Sequence, residues 1–287
     1  MQIGRALLVE QSGGSLPPDV WCSLITVTYN SARTLEEFWG SAGRPPAGVE
    51  WIVVDNGSTD DSVAVAERIG ATRVITLADN RGFSAANNAG LEQSRGSFIG
   101  FLNPDVRVRY EDLASLAAVA EQERAIVAPQ LVNADGSLQP NGRGYPYLWD
   151  KVRNRLGRSE SLVGRYLLFA PTEEPRPVCW LMGAAVFGMG EDIRRFDAWD
   201  PHFFLYYEDK DFCLRAWAAG VRVVVTAENR WQHGWARETT GFKLAPWRRE
   251  LASMAKFYSR YPEFLLGTSR AARKHARIQQ EVFGGAS

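Results

Sequence analysis

Polar side chains follow each of four apolar runs in the N-terminal part of this chain, and their types suit a phosphorylated ligand bound through a cation. They are Thr28, Asn30, Asp55, Asn80, Arg81, Asn87, Asn103 and Asp105. Carboxylate oxygens bind hard divalent cations, which in turn bind phosphate oxygens. Because such groups recur after every run, they exceed what the solvation of loops requires and predict one shared binding site.

Each of these groups alone has a simpler structural interpretation. The stretch Asp55-Asn-Gly-Ser-Thr-Asp60 is typical of a turn followed by a helix N-cap, and Asn103-Pro-Asp105 is typical of a turn. Arg81 alone is typical of a solvated surface charge. Independent turns have no reason to recur at the same end of successive strands, so the series favours ligand binding.

Phosphate groups would have to be bound here without a glycine-rich loop. The chain has neither G-x-G-x-x-G after its first apolar run nor G-x-x-x-x-G-K-[ST] anywhere. A dinucleotide-binding dehydrogenase or a P-loop enzyme needs one of these motifs to hold phosphates on backbone amides. The residues therefore favour a divalent cation that bridges a diphosphate to carboxylates.

The elements that must position these side chains alternate between strands and helices. The predicted strands are Ser23–Tyr29, Trp51–Val54, Arg73–Leu77, Ser97–Leu102, Ala125–Ala128, Val178–Phe187 and Val221–Thr226. The predicted helices are Asp60–Ile69, Ala85–Gln93, Glu111–Glu123 and Asp211–Ala219. Residues 133–137 predict a hairpin turn and residues 140–177 an irregular region. The basic tail that begins near Lys243 predicts a further helix up to Pro262. The alternation predicts an α/β domain with a mostly parallel sheet, whose ligands bind beyond the carboxyl ends of the strands.

The composition is that of an ordinary globular protein. Of 287 residues, 45% are hydrophobic, and 33 basic residues balance 33 acidic ones, so net charge does not indicate nucleic acid as a partner. Cys22, Cys179 and Cys213 lack the spacing of a disulfide framework or a metal site and fit a reducing compartment. Neither a signal peptide nor a membrane-spanning segment is evident, so we expect a cytoplasmic protein.

Six short runs and a histidine resemble family 2 glycosyltransferases, most closely the bacterial rhamnosyltransferase-type members. They are VTYNS, VVDNGSTDDS, NRGFSAANNAG, FLNPDV, WLMGAA, FFLYYEDKDFCLR and His233. The resemblance extends from about Ser23 to Gly234. It implies a GT-A fold, an inverting mechanism, a nucleoside-diphosphate sugar donor (dTDP, UDP or GDP) and a saccharide or lipid-linked acceptor.

The resemblance also implies a role for each polar side chain at the strand ends. Thr28, Asn30 and Asp55 would hold the base and ribose of the donor, and Asn80, Arg81 and Asn87 would lie beside its nucleotide or sugar. Asn103-Pro-Asp105 occupies the position of the family's Asp-x-Asp motif. Asp105 would therefore bind Mg²⁺ or Mn²⁺, and His233 would complete the metal site. A lone histidine is equally often structural.

The catalytic base is implied by the same resemblance. Asp209 would remove the proton of the acceptor hydroxyl, and Glu208 would orient the acceptor or support the start of a helix. The structural alternative is that these acids only favour a helix N-terminus through its dipole. Asp211 has no catalytic role in this interpretation, because it would make an ordinary helix-surface pair with Arg215.

The acceptor site is where the chain departs from the family pattern. Its floor would be formed by Trp180, Gly183 and Ala184. Cys179 stands where many members have an acidic residue, and the stretch GMGEDIRRFDAWD and the run after His233 also differ. All of these positions lie in the acceptor half, so they bear on the acceptor's identity and leave the reaction type unchanged.

The predicted organisation is an N-terminal extension (1–20), a single GT-A domain (21–240) and a helical extension (241–287) that is basic and rich in aromatic residues. This extension has two interpretations. It is either an amphipathic helix on the inner face of an anionic plasma membrane, near a lipid-linked acceptor, or a helix packed on the domain with a solvated basic face.

We therefore expect a metal-dependent transferase of a hexose or deoxyhexose, rhamnose among them, that acts in cell-surface polysaccharide or glycoconjugate synthesis. Two alternatives stay open. One is a non-catalytic module of the same fold that binds nucleotide-sugar or glycan. The other is a nucleotidyltransferase, which would be expected to show a loop rich in Gly and Arg after the first strand, where this chain has Asn30-Ser-Ala-Arg-Thr34.

Overall fold

The computed structural model describes residues 20–155, 160–170, 174–234, 244–266 and 268–284. The predicted N-terminal extension except Val20, the run after Gly234 and both ends of the predicted C-terminal extension lie outside the described residues. The strands are β1 (Cys22–Thr28), β2 (Val49–Asp55), β3 (Arg73–Thr76), β4 (Phe98–Leu102), β5 (Ala125–Val132), β6 (Gly142–Arg143), β7 (Leu167–Leu168), β8 (Arg176–Pro177), β9 (Trp180–Leu181), β10 (Ala185–Met189) and β11 (Arg222–Gln232). The α-helices are α1 (Ala32–Phe38), α2 (Ser62–Ile69), α3 (Phe83–Glu92), α4 (Leu113–Gln122), α5 (Leu148–Arg155), α6 (Gly190–Arg195), α7 (Glu208–Ala218), α8 (Leu244–Arg260), α9 (Glu263–Leu266), α10 (Thr268–Lys274) and α11 (Ala276–Ile278).

The central sheet confirms the predicted α/β class. Its eight strands lie in the order β3-β2-β1-β4-β10-β5-β11-β8. The pairs β3–β2, β2–β1, β1–β4 and β5–β11 are parallel, whereas β10 and β8 run antiparallel to their neighbours. Parallel strands that are covered on both faces have continuous apolar sequences, which explains why their positions could be predicted from the sequence.

The prediction of one strand over Val178–Phe187 was wrong. β9 pairs with β6 in a small three-stranded sheet, whereas β10 inserts between β4 and β5 of the central sheet. The residues between them redirect the chain past the end of β4, where the Asn103 N–H donates to the Ala184 carbonyl at 2.8 Å. Both strands are buried, so the apolar run continues with no polar residue to mark the break.

Other elements differ from the prediction mainly in extent. β5 and β11 are several residues longer than predicted, and β11 contains an irregularity between Thr226 and Arg230. Helices α1 and α6 were not predicted, and the irregular region contains α5 and three short strands. The hairpin turn at 133–137 is confirmed, since the Asn133 N–H donates to the Ser137 carbonyl at 2.8 Å.

Two apolar clusters pack on opposite faces of the sheet. Alternate residues of β1 separate into them, with Ile25 in one and Leu24 in the other. The C-terminal helices close the first cluster, because Phe257 and Phe264 are buried within it. Among the described residues, no helix is both long enough and apolar enough to cross a membrane.

Candidate active site

Two oxygen atoms at the carboxyl ends of β1 and β2 are buried without a hydrogen-bond partner among the described residues. Thr28 and Asp55 are buried, and Thr28 Oγ1 and Asp55 Oδ1 have no hydrogen-bond partner among the described residues. The other carboxylate oxygen of Asp55 accepts the Ser58 N–H at 3.1 Å. A buried polar atom without a partner costs free energy, so these atoms suit a ligand that supplies hydrogen bonds.

Ser84 also has a buried side-chain oxygen without a described partner, but the sequence analysis did not single it out. It lies in the first turn of α3, is fully buried, and its Oγ has no partner among the described residues. The signal was present, because Ser84 lies within NRGFSAANNAG. Serine is common near helix N-termini for structural reasons, so its type alone did not single it out.

Several predicted donor-side residues shape the loops. Asn30 Oδ1 accepts the Thr59 N–H at 2.8 Å, and Asn80 Oδ1 accepts the Gly82 N–H at 3.0 Å. Asn87 is buried in α3 and donates to the Phe83 carbonyl at 3.0 Å. The side chains of Asn30 and Asn80 are therefore engaged in holding loop geometry, whereas the Arg81 side chain is exposed beside them.

Asp105 and His233 lie side by side although 128 residues separate them in the chain. His233 Nε2 is 3.4 Å from Asp105 Oδ1, and the backbones pair where Val106 bridges to His233. Asp105 Oδ1 is buried and has no hydrogen-bond partner among the described residues. The Asn103 N–H and carbonyl are engaged in backbone-fixing contacts with Ala184 and Trp39.

This pair fits a hard divalent cation that keeps other ligands. Among the described residues, no three His, Cys, Asp or Glu side chains cluster as a closed metal site. Mg²⁺ is commonly held by one or two protein carboxylates together with waters and substrate phosphates. One carboxylate oxygen and one imidazole nitrogen facing each other would supply the protein's share of such a site.

Two carboxyl groups stand at the start of α7 and differ in environment. Glu208 is buried, its Oε2 lacks a partner among the described residues, and burial followed by the charge of Asp209 raises its pKa to about 8. Asp209 is partly exposed and forms an ion pair with Lys210 at 3.2 Å. Burial therefore favours the protonated form of Glu208, while Asp209 has a cation beside it.

The backbone before α7 takes an uncommon path to place these groups. Tyr206 and Tyr207 have φ values of 68° and 71°, in the left-handed region that bulky residues rarely adopt. The buried Tyr207 ring packs against Phe257 at 5.2 Å between centroids. Strained residues persist only where packing holds them, and they often lie at functional sites.

Of the predicted acceptor residues, Gly183 and Trp180 lie beside Asp209 and Lys210, whereas the Ala184 side chain lies in the core. A Cβ placed on Gly183 would lie 3.5 Å from the Cβ of Asp209, so Gly183 lies directly beside that residue. The Trp180 ring is buried, and Lys210 Nζ lies 3.9 Å from its centroid. The Ala184 side chain is instead buried in the second apolar cluster, and its carbonyl binds the Asn103 N–H. The Gly183–Ala184 segment thus links Asp209 to the Asn103-Pro-Asp105 turn.

Asp211 is not the surface residue that was predicted. Its pair with Arg215 forms at 2.7 Å, but the carboxylate is fully buried and also accepts from Arg260 Nη1 at 2.7 Å and Tyr261 Oη at 3.0 Å. The i,i+4 spacing was correctly interpreted, whereas the burial depends on α8, which covers this face of α7. Asp211 therefore ties the helix that carries Glu208 and Asp209 to the C-terminal extension.

The chain is similar to known glycosyltransferases in sequence. A family model described as glycosyl transferase family 2 matches residues 23–170. The low-salt glycan biosynthesis hexosyltransferase Agl10 of Haloferax volcanii is 26% identical over 68% of this chain and 61% of its own length. Rhamnosyltransferase WbbL of Escherichia coli is 28% identical over 44% of this chain and 48% of its own length. The chain thus spans less than two thirds of either relative.

The fold is also similar to that of a solved enzyme. The structure of mannosyltransferase PcManGT from Pyrobaculum calidifontis, in complex with GDP-Man and Mn²⁺, matches with a TM-score of 0.57 and 15% identity. The match covers 95% of this chain and 73% of that one. At this level of identity the likeness bears on the fold alone, and it confirms the predicted GT-A architecture.

Proposed function

This chain belongs to glycosyl transferase family 2, and we propose that it transfers a hexose or deoxyhexose from a nucleoside-diphosphate sugar to a hydroxyl of a saccharide or lipid-linked acceptor. The observation that carries the proposal is that candidate metal ligands and a pair of carboxyl groups both lie beyond the carboxyl ends of the strands. Asp105 and His233 face each other as candidate metal ligands, and Glu208 and Asp209 begin the neighbouring helix.

We assign the candidate residues to donor binding, cation binding and proton transfer. The unpaired oxygens of Thr28, Asp55 and Ser84 would bind the nucleoside part of the donor. Asp105 and His233 would hold a divalent cation, Mg²⁺ or Mn²⁺, which when bound supplies positive charge to the departing diphosphate. Asp209 would take the proton of the acceptor hydroxyl.

The bond changes then account for inversion. The acceptor oxygen attacks the anomeric carbon from the face opposite the diphosphate, and the new carbon–oxygen bond forms as the bond to the diphosphate breaks. The proton of the acceptor hydroxyl passes to the Asp209 carboxylate. Glu208, whose protonated form is favoured by burial, would orient the acceptor by donating its own O–H.

Rhamnose is our first candidate for the transferred sugar. The similarity to a rhamnosyltransferase supports it, whereas the similarity to a hexosyltransferase of glycan biosynthesis supports a hexose in general. The glycan biosynthesis in the name of Agl10 supports a role in cell-surface polysaccharide or glycoconjugate synthesis. The free, buried state of Cys22, Cys179 and Cys213 supports a cytoplasmic setting.

Binding of UDP, dTDP and GDP with and without Mn²⁺ tests the proposal. We expect one nucleotide to bind in a metal-dependent way, and this binding to be lost in Asp105→Ala and weakened in His233→Ala. His202→Ala is the matched control, because that exposed histidine pairs with Asp200 away from the candidate metal ligands. Binding that is indifferent to Mn²⁺ and to Asp105 would contradict the metal site and favour the non-catalytic module.

We also propose that the protein contacts an anionic membrane peripherally. Three aromatic residues in the described part of the C-terminal extension do not support this contact, since Phe257, Tyr258 and Phe264 are buried in the core. Support comes from an outward face of α5, where Trp149 is 73% exposed and Val152 and Arg153 follow at i+3 and i+4. An exposed tryptophan beside a cation suits the interface of an anionic bilayer.

Vesicle flotation tests the membrane contact. We expect wild type to float with phosphatidylglycerol vesicles and to remain unbound with phosphatidylcholine vesicles. Trp149→Ser should weaken flotation, whereas Trp21→Ser, at a partly exposed tryptophan of the β1 end, should not. Wild type that fails to float with anionic vesicles would contradict the contact.

A further inference from the structure

Gln139 is fully buried, and its side-chain oxygen and both of its N–H groups are engaged by His233 and Asn133. Its Nε2 donates to the His233 carbonyl at 2.9 Å and to Asn133 Oδ1 at 2.8 Å. Its Oε1 lies 2.8 Å from His233 Nδ1. Because a backbone carbonyl can only accept, it fixes which end of the Gln139 amide carries the N–H groups.

The hairpin turn fixes the same orientation independently. The Asp135 carboxylate accepts from Ser137 Oγ at 2.6 Å, so the Ser137 hydroxyl proton is committed to it. Ser137 Oγ must then accept from Asn133 Nδ2, at 2.8 Å, which turns Asn133 Oδ1 toward Gln139. Hydrogen bonds from Ser137 hold the pKa of Asp135 below its ordinary value, which keeps it an acceptor.

This polarity determines where the His233 proton lies. Since Gln139 presents an oxygen to Nδ1, that nitrogen must be a donor, and in the neutral ring Nε2 then carries a lone pair. Nε2 faces Asp105 Oδ1 at 3.4 Å, and this oxygen has no hydrogen-bond partner among the described residues. Two acceptors that face each other without a proton between them suit a cation.

We propose that Gln139 is a positioning residue for the metal site, which holds His233 in the Nδ1–H tautomer and presents a bare Nε2 beside Asp105. This inference rests on the proposed metal site. The turn Asn133-Ala-Asp-Gly-Ser137, which the sequence analysis treated only as a hairpin turn, sets the direction of the hydrogen bonds through Asp135. Such outer partners of metal-binding histidines typically alter metal affinity about 10–100-fold when they are removed.

Nitrogen NMR of the ¹⁵N-histidine-labelled, metal-free protein tests the tautomer directly. The chain has 3 histidines, so the ring signals can be assigned with His202 and His275 as internal references. At a pH where the rings are neutral, we expect the Nδ1–H pattern for His233 in wild type and loss of that preference in Gln139→Met. An Nε2–H pattern in wild type, or an unchanged preference in Gln139→Met, would overturn the proposal.

Mn²⁺ binding, measured by electron paramagnetic resonance, tests the consequence. We expect Gln139→Met to weaken binding about 10–100-fold. Asn229→Leu is the matched control, because it removes another buried amide, which lies on β11 and bonds Thr226 and Ser115.

The two measurements separate this inference from the proposed function. Equal loss of Mn²⁺ affinity in Asn229→Leu and Gln139→Met would show general damage and overturn the positioning role. Wild type that binds no Mn²⁺ would contradict the proposed metal dependence, while the tautomer of His233 would still be decided by NMR on the metal-free protein.

Discussion

Glu208 and Asp209 show how neighbouring residues of one type acquire different properties. Glu208 is buried with one oxygen lacking a described partner, so its charged form is penalised by desolvation and by the adjacent carboxylate. Asp209 instead has Lys210 beside it, and the Lys210 ammonium also lies over the Trp180 ring. Pairs of carboxyl groups with different environments are suited to different tasks in proton transfer.

We expect wild type to lose stability relative to Glu208→Gln as pH rises from about 4.5 to about 8. In this window the unfolded chain has released the Glu208 proton while the folded chain retains it, so raising the pH favours unfolding. The slope is at most about 1.4 kcal/mol per pH unit and vanishes below the unfolded pKa. Urea unfolding of both proteins across this range measures it.

The control for this prediction is Glu228→Gln, at an exposed glutamate of β11. Its stability should run parallel to that of wild type as the pH changes. If Glu208→Gln also ran parallel to wild type, burial would not be raising the Glu208 pKa.

At the scale of elements, the segment 199–207 is held between a donor-side helix and the C-terminal extension. Asn88 of α3 bonds both backbone groups of Trp199, at 2.7 and 3.2 Å, and the Phe83 N–H donates to the Phe204 carbonyl at 2.8 Å. From the other side, Ser253 of α8 donates to the Leu205 carbonyl at 2.8 Å. The segment that leads into Glu208 is therefore positioned by both neighbours.

Gly82 tests this contact between the donor loop and the segment 199–207. Its φ is 86°, and a Cβ on it would lie 2.6 Å from the Phe204 carbonyl oxygen. Gly136 is the matched control, with φ of 80° and nothing within 4 Å of a Cβ. We expect Gly136→Ala to cost about 1 kcal/mol for its backbone conformation alone. Gly82→Ala should cost roughly 1–3 kcal/mol more, because Phe204 must move.

Unfolding free energies of the two variants measure this difference. Displacing Phe204 also shifts the chain that enters α7, so we expect transferase turnover to fall in Gly82→Ala. If the two substitutions lowered the unfolding free energy equally, the close approach of Gly82 to Phe204 would not contribute to stability.

At the scale of the whole molecule, the C-terminal helices complete the core of the domain. Phe257 and Phe264 belong to the same apolar cluster as Ile25 and Ile52 of the sheet. Arg260 of α8 joins Asp200 at 2.6 Å and Asp211 at 2.7 Å. The described part of the extension therefore shares a core with the sheet, which predicts one cooperative unfolding transition.

Phe264→Ala and Leu265→Ala test this shared core with adjacent residues of α9. Phe264 is 1% exposed and Leu265 is 46% exposed. We expect Phe264→Ala to lower the unfolding free energy by about 3–5 kcal/mol in a single transition of the whole chain. Leu265→Ala should cost less than about 1 kcal/mol. A separate early transition in Phe264→Ala would mean that the extension unfolds independently of the sheet.

The sequence by itself determined the strands of the parallel half and the polar residues that follow them. Strands buried on both faces require unbroken apolar runs, and the chain must turn polar where each run ends, so Thr28, Asp55 and Asp105 were legible as candidate site residues. The i,i+4 pair of Asp211 and Arg215 could also be predicted from the sequence. Like the apolar runs, it depends only on residues that are close together in the chain.

Only the tertiary structure decided which distant residues meet. Nothing local marks the break between β9 and β10, the burial of Asp211 beneath α8, or the approach of Gln139 to His233, 94 residues away. Periodicity reports which face of an element is apolar, whereas these contacts depend on which elements pack together. A glutamine after a tight turn looks like any surface residue until packing buries it, and only then must each of its hydrogen bonds find a partner.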